Sequence, residues 1–525
     1  MKKRRSRAIN RRVGDEAEIS RRDLLKAFAG LGAATALSGC ALDSNHRSQT
    51  GGGKSARFPS DLVRRENAKP GTRDWLLANT RIDPETKYRC PWIEGYCSRT
   101  SLRAGDSLDI FVSTDPPSPF RIDLYRMGYY GGAGGRHILS LGPFAGKTQP
   151  EPPIGKNRLR ECQWEPGVSV KIPADWMSGV YLGKLTAERE GLQSYVIFVV
   201  RDDRSADFQA YNRWPSQFAL YDDGKDVWYW GPGVDVSFDR PYGKYCQIFD
   251  DAPLSTGSGE WFLWEFPLAY WMEAHGYDVT YISNLDTHAD LKGLLRAKGF
   301  LSIGHDEYYS IEMFENLRAA IAAGLNVGFL SGNTCCGRIN PRPSSRRVSN
   351  RVFGRVGVFG PPGGTRDFVA MKSLPHERPY ANELIGAHST GPVTGGADWI
   401  CAQPDHWIFE GTAMKKGDGI PGLVGWEWHG DPAKIPGLEI VATGPTQSKP
   451  GELNGGIYTA TIYPGPKGNF VFNAATCWWA DGMSEPPGYV RPSAYTAPHG
   501  PDLRAQRITA NVLDRMRNSS RPQDA

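Results

Sequence analysis

The sequence predicts an α/β fold, a doubly wound and mostly parallel sheet, preceded by an all-β sandwich of immunoglobulin-like type. Three observations carry that expectation. Between residues 85 and 202 short apolar runs alternate with polar residues and are divided by turns, the pattern of half-buried strands. Beyond the charged link Arg201-Asp202-Asp203, strand-like and helix-like runs alternate at short spacing, which is how parallel strands are joined. The third is size, since 525 residues and 57.9 kDa exceed the usual domain of about 100–150 residues. An apolar content of 40% with 16 Trp excludes a disordered chain, and 61 Gly with 39 Pro predicts long ordered loops.

The first forty residues stand apart from the fold. Ten Lys and Arg face four Asp and Glu in residues 1–39, a surplus of six, so the net charge of +5 becomes −1 for residues 40–525. A near-neutral body has no field with which to gather a polyanion, which argues against nucleic acid as the main partner. Ser20-Arg21-Arg22-Asp23-Leu24-Leu25-Lys26, followed by the weakly apolar run 27–37, resembles a twin-arginine export signal. The run closes on Leu37-Ser38-Gly39-Cys40, which is similar to a lipobox with Cys40 as the lipidated first residue after cleavage. It is too short to cross a hydrocarbon core, which needs about 20 residues. Residues 1–40 are expected to be a twin-arginine lipoprotein signal, and 41–84, with Gly51-Gly52-Gly53, a tether and lead-in. The expected product is exported and lipid-anchored to a membrane, facing the periplasm or the cell exterior.

In the sandwich, 85–202, the runs 108–112, 121–125, 168–172, 180–185 and 194–199 read as strands. Gly128, Gly131, Gly132, Gly134 and Gly135 crowd a hairpin-like stretch. A phosphate cradle needs a helix directly after its glycines, and 137–139 reads as strand. In the α/β domain, 203–520, helices are expected at 262–274, 289–297 and 311–323, with strands at 278–282, 300–303 and 326–330. Within the Gly/Pro loops of 340–480, the runs 456–462 and 469–473 read as later strands, and 502–516 has the spacing of a closing amphipathic helix. Among the cysteines, Cys90 and Cys97 flank a short loop and are the local pair best placed to bond. The spacings contain no CxxC, so a thiolate zinc site is not expected.

The clearest local site is Gly304-His305-Asp306-Glu307-Tyr308-Tyr309-Ser310, between a strand and the helix that Ser310 is placed to cap. An extended chain there points His305 and Glu307 to one side, where imidazole and carboxylate can bind a metal or share a proton. A salt-linked loop explains the pair equally well. Asp306 could orient His305 or cap a turn. Upstream, Tyr211 and Tyr242 read as core tyrosines unless their hydroxyls converge on Glu307, in which case the three offer hard oxygen donors. Trp214 and Trp264 are candidates for an aromatic lining.

Longer strings identify a family. The chain resembles the large subunit of N,N-dimethylformamidase over 85–520. In the sandwich the likeness rests on Ile122-Asp123-Leu124-Tyr125-Arg126-Met127-Gly128-Tyr129-Tyr130-Gly131-Gly132 and Pro173-Ala174-Asp175-Trp176-Met177-Ser178-Gly179. Beyond it, the likeness rests on Tyr211-Asn212, Phe238-Asp239-Arg240-Pro241-Tyr242, Glu273-Ala274-His275-Gly276-Tyr277-Asp278-Val279 and Gly304-His305-Asp306-Glu307-Tyr308. The resemblance implies a class I glutamine-amidotransferase-like α/β domain. It also implies a mononuclear ferric ion (Fe3+) held by Tyr211, Tyr242 and Glu307, with Tyr245 the neighbour that competes with Tyr242. His305 is then the nearby histidine, with it or a second carboxylate moving the proton, in an enzyme that hydrolyses a small amide. Against the family pattern, this chain carries an export signal and continues Gly332-Asn333-Thr334 with Cys335-Cys336. A separate small subunit is therefore not assured, and a homo-oligomer stays open. Two other readings remain: a cysteine-dependent amide hydrolase with Cys335 or Cys336 as nucleophile and His305 as base, or a noncatalytic envelope-binding lipoprotein. Intact-mass measurement of the exported protein should find residues 1–39 gone and a lipid on Cys40; a retained signal would contradict the reading.

Overall fold

The computed structural model describes residues 61–83, 89–212, 235–243, 255–361, 374–390, 396–425, 427–447, 455–489 and 500–522, with backbone alone at 208–212. The signal, the tether and Cys40 lie outside these residues, as do Trp214 and Tyr245.

Two sheets form around residues 94–200. One is antiparallel and runs in the order β1 (Glu94–Cys97), β3 (Ser107–Ser113), β6 (Pro166–Lys171). The other runs β2 (Ser101–Leu102), β8 (Gln193–Val200), β7 (Gly179–Ala187), β4 (Phe120–Met127), β5 (Gly135–Phe144). Their period-two faces meet in one apolar cluster, with Ile110 and Val112 from the first sheet and Ile122, Leu124, Tyr181 and Phe198 from the second. Cys90 and Cys97 are both buried, and no disulfide joins them.

The largest sheet has seven strands in the order β11 (Val279–Ser283), β9 (Ala206–Asn212), β12 (Ala297–Gly304), β14 (Asn326–Ser331), β23 (Phe470–Asn473), β22 (Gly456–Pro464), β21 (Glu439–Thr446). The first five lie parallel and the last two antiparallel. A four-stranded sheet runs β10 (Asp235–Ser237), β16 (Val352–Val358), β15 (Gly337–Ile339), β13 (Tyr308–Tyr309). Two hairpin-like pairs, β17 (Ala387–Thr390) with β20 (Trp428–Pro432) and β18 (Gly396–Ile400) with β19 (Gly419–Gly425), complete the strands. The helices are α1 (Leu62–Asn67), α2 (Phe266–Ala274), α3 (Asn284–Ala289), α4 (Leu291–Leu294), α5 (Ile311–Ala323), α6 (Asn382–Ile385) and α7 (Leu503–Arg517).

This architecture corrects the expected doubly wound, class I glutamine-amidotransferase-like fold. Strand accounts for 36% of the described residues and helix for 20%, spread over several small mixed sheets. The alternation after residue 203 is real, but most of its helices are a turn or two long; the helix expected at 289–297 is only α4, and β12 has begun by Ala297. Among the described residues of 335–475 the one α-helix is the single turn α6, and most strands pair antiparallel, with β15 and β23 the ones that also pair in parallel, so further βα units do not form.

One buried ion pair joins the two regions. Arg126 of β4 and Glu273 of α2, both with fully buried side chains, meet through two bonds, Nη1 to Oε2 at 3.0 Å and Nη2 to Oε1 at 2.9 Å. Tyr281 of β11 donates to Glu273 Oε1 at 2.9 Å and Asn67 of α1 to Oε2 at 2.8 Å, while Arg126 Nη2 also donates to the Ser178 carbonyl at 2.8 Å. The Arg126 and Glu273 strings of the family resemblance are thus two halves of one clasp. Arg126→Met leaves a buried carboxylate without its cation and should cost about 3–5 kcal/mol in denaturant unfolding, much of it restored when Glu273→Leu is added.

Glu66 sits at the edge of the same network, accepting from Tyr130 OH at 2.9 Å and Arg136 Nε at 2.8 Å. Burial alone would raise its carboxyl, but Arg126 nearby and hydrogen bonds from Lys69 and Tyr130 bring it from 4.5 down to about 2. A carboxyl depressed by folding stabilises above its unfolded pKa, and that stability fades as pH falls from about 4.5 to about 2. Thermal melts of Glu66→Gln should therefore lie below wild type at pH 7 and converge with it near pH 2; a constant gap would contradict the assignment.

Candidate metal centre

The site is built at the carboxyl ends of the parallel strands. β12 runs apolar through Phe300, Leu301 and Ile303 and stops at Gly304, whose φ is +75°. A Cβ there would fall 2.3 Å from the Trp264 Cβ, so only glycine allows the chain to turn against that indole. Residues 305–307 then run without helix until Ser310 caps α5, its Oγ accepting Met313 N at 3.1 Å. The alternation of side chains follows. His305 Nε2 and Glu307 Oε2 lie 3.3 Å apart, while Asp306 enters a separate set of bonds. Its Oδ2 accepts from Ser302 Oγ at 2.6 Å and Tyr309 OH at 2.7 Å, so Asp306 braces the strand end.

The neighbouring strand end brings in a third ligand-type group. Gly332, just after β14, donates its N–H to the Gly304 carbonyl at 3.0 Å. A Cβ on Gly332 would lie 2.1 Å from the carbonyl oxygen of Glu427, a carbonyl that also accepts Cys477 N at 3.2 Å. Glycine thus lets the turn between β19 and β20 close over the sheet and deliver the Glu427 side chain. Glu427 Oε2 contacts His305 Nε2 and accepts Asn333 Nδ2 at 3.0 Å. The ligand atoms of His305, Glu307 and Glu427 all lie within 4.8 Å of one another, and all three residues are buried.

His429 fixes the loop that carries Asn333. Its Nε2 accepts the Thr334 N–H at 3.0 Å, which leaves Nδ1 to donate to Asn473 Oδ1 at 2.6 Å. Complete burial pushes this imidazole down to about 4, so it stands neutral between β20, β23 and the 332–334 loop.

Of the residues singled out from sequence, His305 and Glu307 come together and Asp306 faces a different set of partners. Trp264 lies edge-on to His305 with ring centroids 6.4 Å apart. Tyr211 is the last residue but one of β9, one residue beyond the Ala210–Leu301 pair with the strand that leads to His305, and its side chain is outside the described residues. Tyr242 is buried in another setting, its ring 5.6 Å from the Arg240 guanidinium. Burial raises its hydroxyl, with Arg351 and Arg240 pulling the other way and Cys97 and Asp239 nearby. Cys335 and Cys336 pack in an apolar cluster with Tyr309, Phe314 and Phe359. Burial, then Asp306 and Cys336, push the Cys335 thiol well up, away from the thiolate a nucleophile needs. Glu427, Asn333 and His429 were not visible in the sequence. Glu427 belongs to Trp426-Glu427-Trp428-His429, far along the chain from Glu307, and its only sign was an acid between two tryptophans.

One imidazole nitrogen and two carboxylate oxygens form a mixed N/O donor set suited to a first-row transition ion, and any tyrosinate added to it would favour a harder one. These donors form a buried polar site that could hold a metal ion. The chain belongs to the N,N-dimethylformamidase beta subunit-like, C-terminal family, whose model matches residues 121–493. That family suggests a metal-dependent enzyme of dimethylformamidase-like hydrolytic type. A twin-arginine translocation signal sequence matches residues 18–38 and supports export, and no helix of the described residues is long and apolar enough to cross a membrane. No curated protein matches the chain. Among solved structures, a β-glucuronidase from Parabacteroides merdae is similar at 10% identity, covering 46% of this chain and 24% of that one with a TM-score of 0.15. The chain spans about a quarter of that structure's length, and so slight a likeness carries no argument. Peptide mapping after alkylation of the folded protein at pH 8 should find Cys335 unmodified; rapid labelling would contradict its burial.

Proposed function

We propose that this protein hydrolyses the C–N bond of a small amide with a mononuclear ferric ion, outside the cytoplasm and held to a membrane by lipid on Cys40. The observation that carries the reading is the meeting of His305, Glu307 and Glu427 at a parallel-sheet edge in a chain of this family. A ferric ion bound there would supply Lewis acidity to the amide carbonyl. Glu307 is its proposed carboxylate ligand, and the family resemblance adds Tyr211 and Tyr242. The place of Tyr211 on the adjoining strand end supports its share in that set, while Tyr242 rests on the resemblance alone.

The remaining groups divide the proton work. Glu427, oriented by the Asn333 amide, accepts a proton from the attacking water. His305, in contact with Glu427, passes a proton to the amine nitrogen as the C–N bond breaks, so the amine leaves neutral. Asp306 positions the stretch through Ser302 and Tyr309. The edge of Trp264 beside His305 favours a compact, apolar substrate.

The test is elemental analysis of natively exported protein together with its visible spectrum. We expect one iron per chain and a tyrosinate charge-transfer band that Tyr211→Phe weakens and Glu307→Gln abolishes with the metal. Glu427→Gln should keep iron and lose hydrolysis by about 100-fold or more. A metal-free protein that hydrolyses amides would contradict the reading, and full iron without turnover on any short amide would point to a binding role.

A further inference from the structure

The body of the chain is near neutral, but two of its loops together carry a local surplus of cations. The loop 151–164, between β5 and β6, lies against the loop 340–351, between β15 and β16. Ser345 N donates to Glu161 Oε1 at 2.9 Å, Gln163 Nε2 donates to Ser345 Oγ at 3.4 Å, and Arg346 donates to the Trp164 carbonyl. Further along, Asp235 accepts Asn157 Nδ2 at 3.1 Å and pairs with Arg342 at 2.5 Å. Apart from Arg351, which is buried and paired with Asp239, the joined loops carry six basic side chains, Lys156, Arg158, Arg160, Arg342, Arg346 and Arg347, against Glu151 and Glu161 of the loops and the adjoining Asp235 of β10. Each of those acids is already engaged, Glu151 by Arg89 at 2.6 Å. Lys156, Arg346 and Arg347 are exposed, and so are two apolar side chains among them, Ile154 at 52% and Val348 at 39%.

We propose that these paired loops are a membrane-docking face, with the arginines engaging the phosphates of an anionic phospholipid bilayer while Ile154 and Val348 enter the headgroup layer. Guanidinium forks match phosphate oxygens, and apolar tips flanked by cations are the form of an interfacial contact rather than of a ligand pocket. A surplus of three charges is too small for a nucleic-acid track but sufficient at an anionic surface, where each basic residue adds to binding. The twin-arginine signal delivers the chain across a membrane, which puts that surface within reach. Such a contact would orient the body independently of its chemistry and of any lipid on Cys40.

The test uses the full chain carrying Cys40→Ser, which removes acylation, and co-sedimentation with vesicles of phosphatidylethanolamine and phosphatidylglycerol or of phosphatidylcholine alone. The basic residues of 1–39 are common to parent and variants, so the comparison reads the loops. Arg346→Glu with Arg347→Glu should weaken binding to the anionic vesicles about tenfold or more. Arg347→Glu alone, at an exposed side chain, should weaken it in the same direction with the melting curve unchanged. Ile154→Ser with Val348→Ser should weaken binding while leaving its salt dependence. Equal binding by parent and charge-reversed chains, or equal binding of the parent to phosphatidylcholine, would overturn the proposal.

Discussion

Two ionised carboxylates in one buried volume repel each other, and the centre of this protein is arranged around that constraint. Glu307 and Glu427 both approach His305, one along the same strand end and one from the far turn between β19 and β20. A proton shared among the three groups or a metal cation offsets their repulsion, and both belong to hydrolytic chemistry. The surrounding fold can be understood as the means of holding these groups together. Gly304 and Gly332 clear space, Asp306 braces one strand end, and neutral His429 ties the loop beside the other.

The sandwich strands contribute at a distance. Arg126 and Glu273 clasp β4 to α2, and α2 leads into β11 at the edge of the seven-stranded sheet. A buried pair of this kind is weak evidence for added stability, because desolvation offsets much of its attraction. What it does supply is register. Glu273 takes bonds from β4, α1 and β11 together, so a shift of any one leaves a buried charge unpaired.

Much of the local structure was legible in sequence, where the signal is local. The period of 311–323 and the capping Ser310 give α5 as it stands, and the run 326–330 lies within β14. The pairing of His305 with Glu307 follows from extended geometry alone. The fold class was misjudged because alternating short runs look the same whether they become βα units or antiparallel returns, and only pairing across the chain decides. Glu427 was hidden for a related reason. It reaches the site through the Gly332 close approach, a contact between distant segments that leaves no spacing to read. The charged surface at 154–160 and 342–348 was only half legible: 340–351 carries four Arg and no acid, but nothing in the spacing says that it lies against Lys156, Arg158 and Arg160.

The most direct test of the central claim is anomalous diffraction at the iron absorption edge from crystals of natively exported protein. The account predicts one strong peak against the Glu307 carboxylate, within reach of His305 and Glu427. No peak in iron-replete crystals, or a peak elsewhere in the molecule, would contradict it.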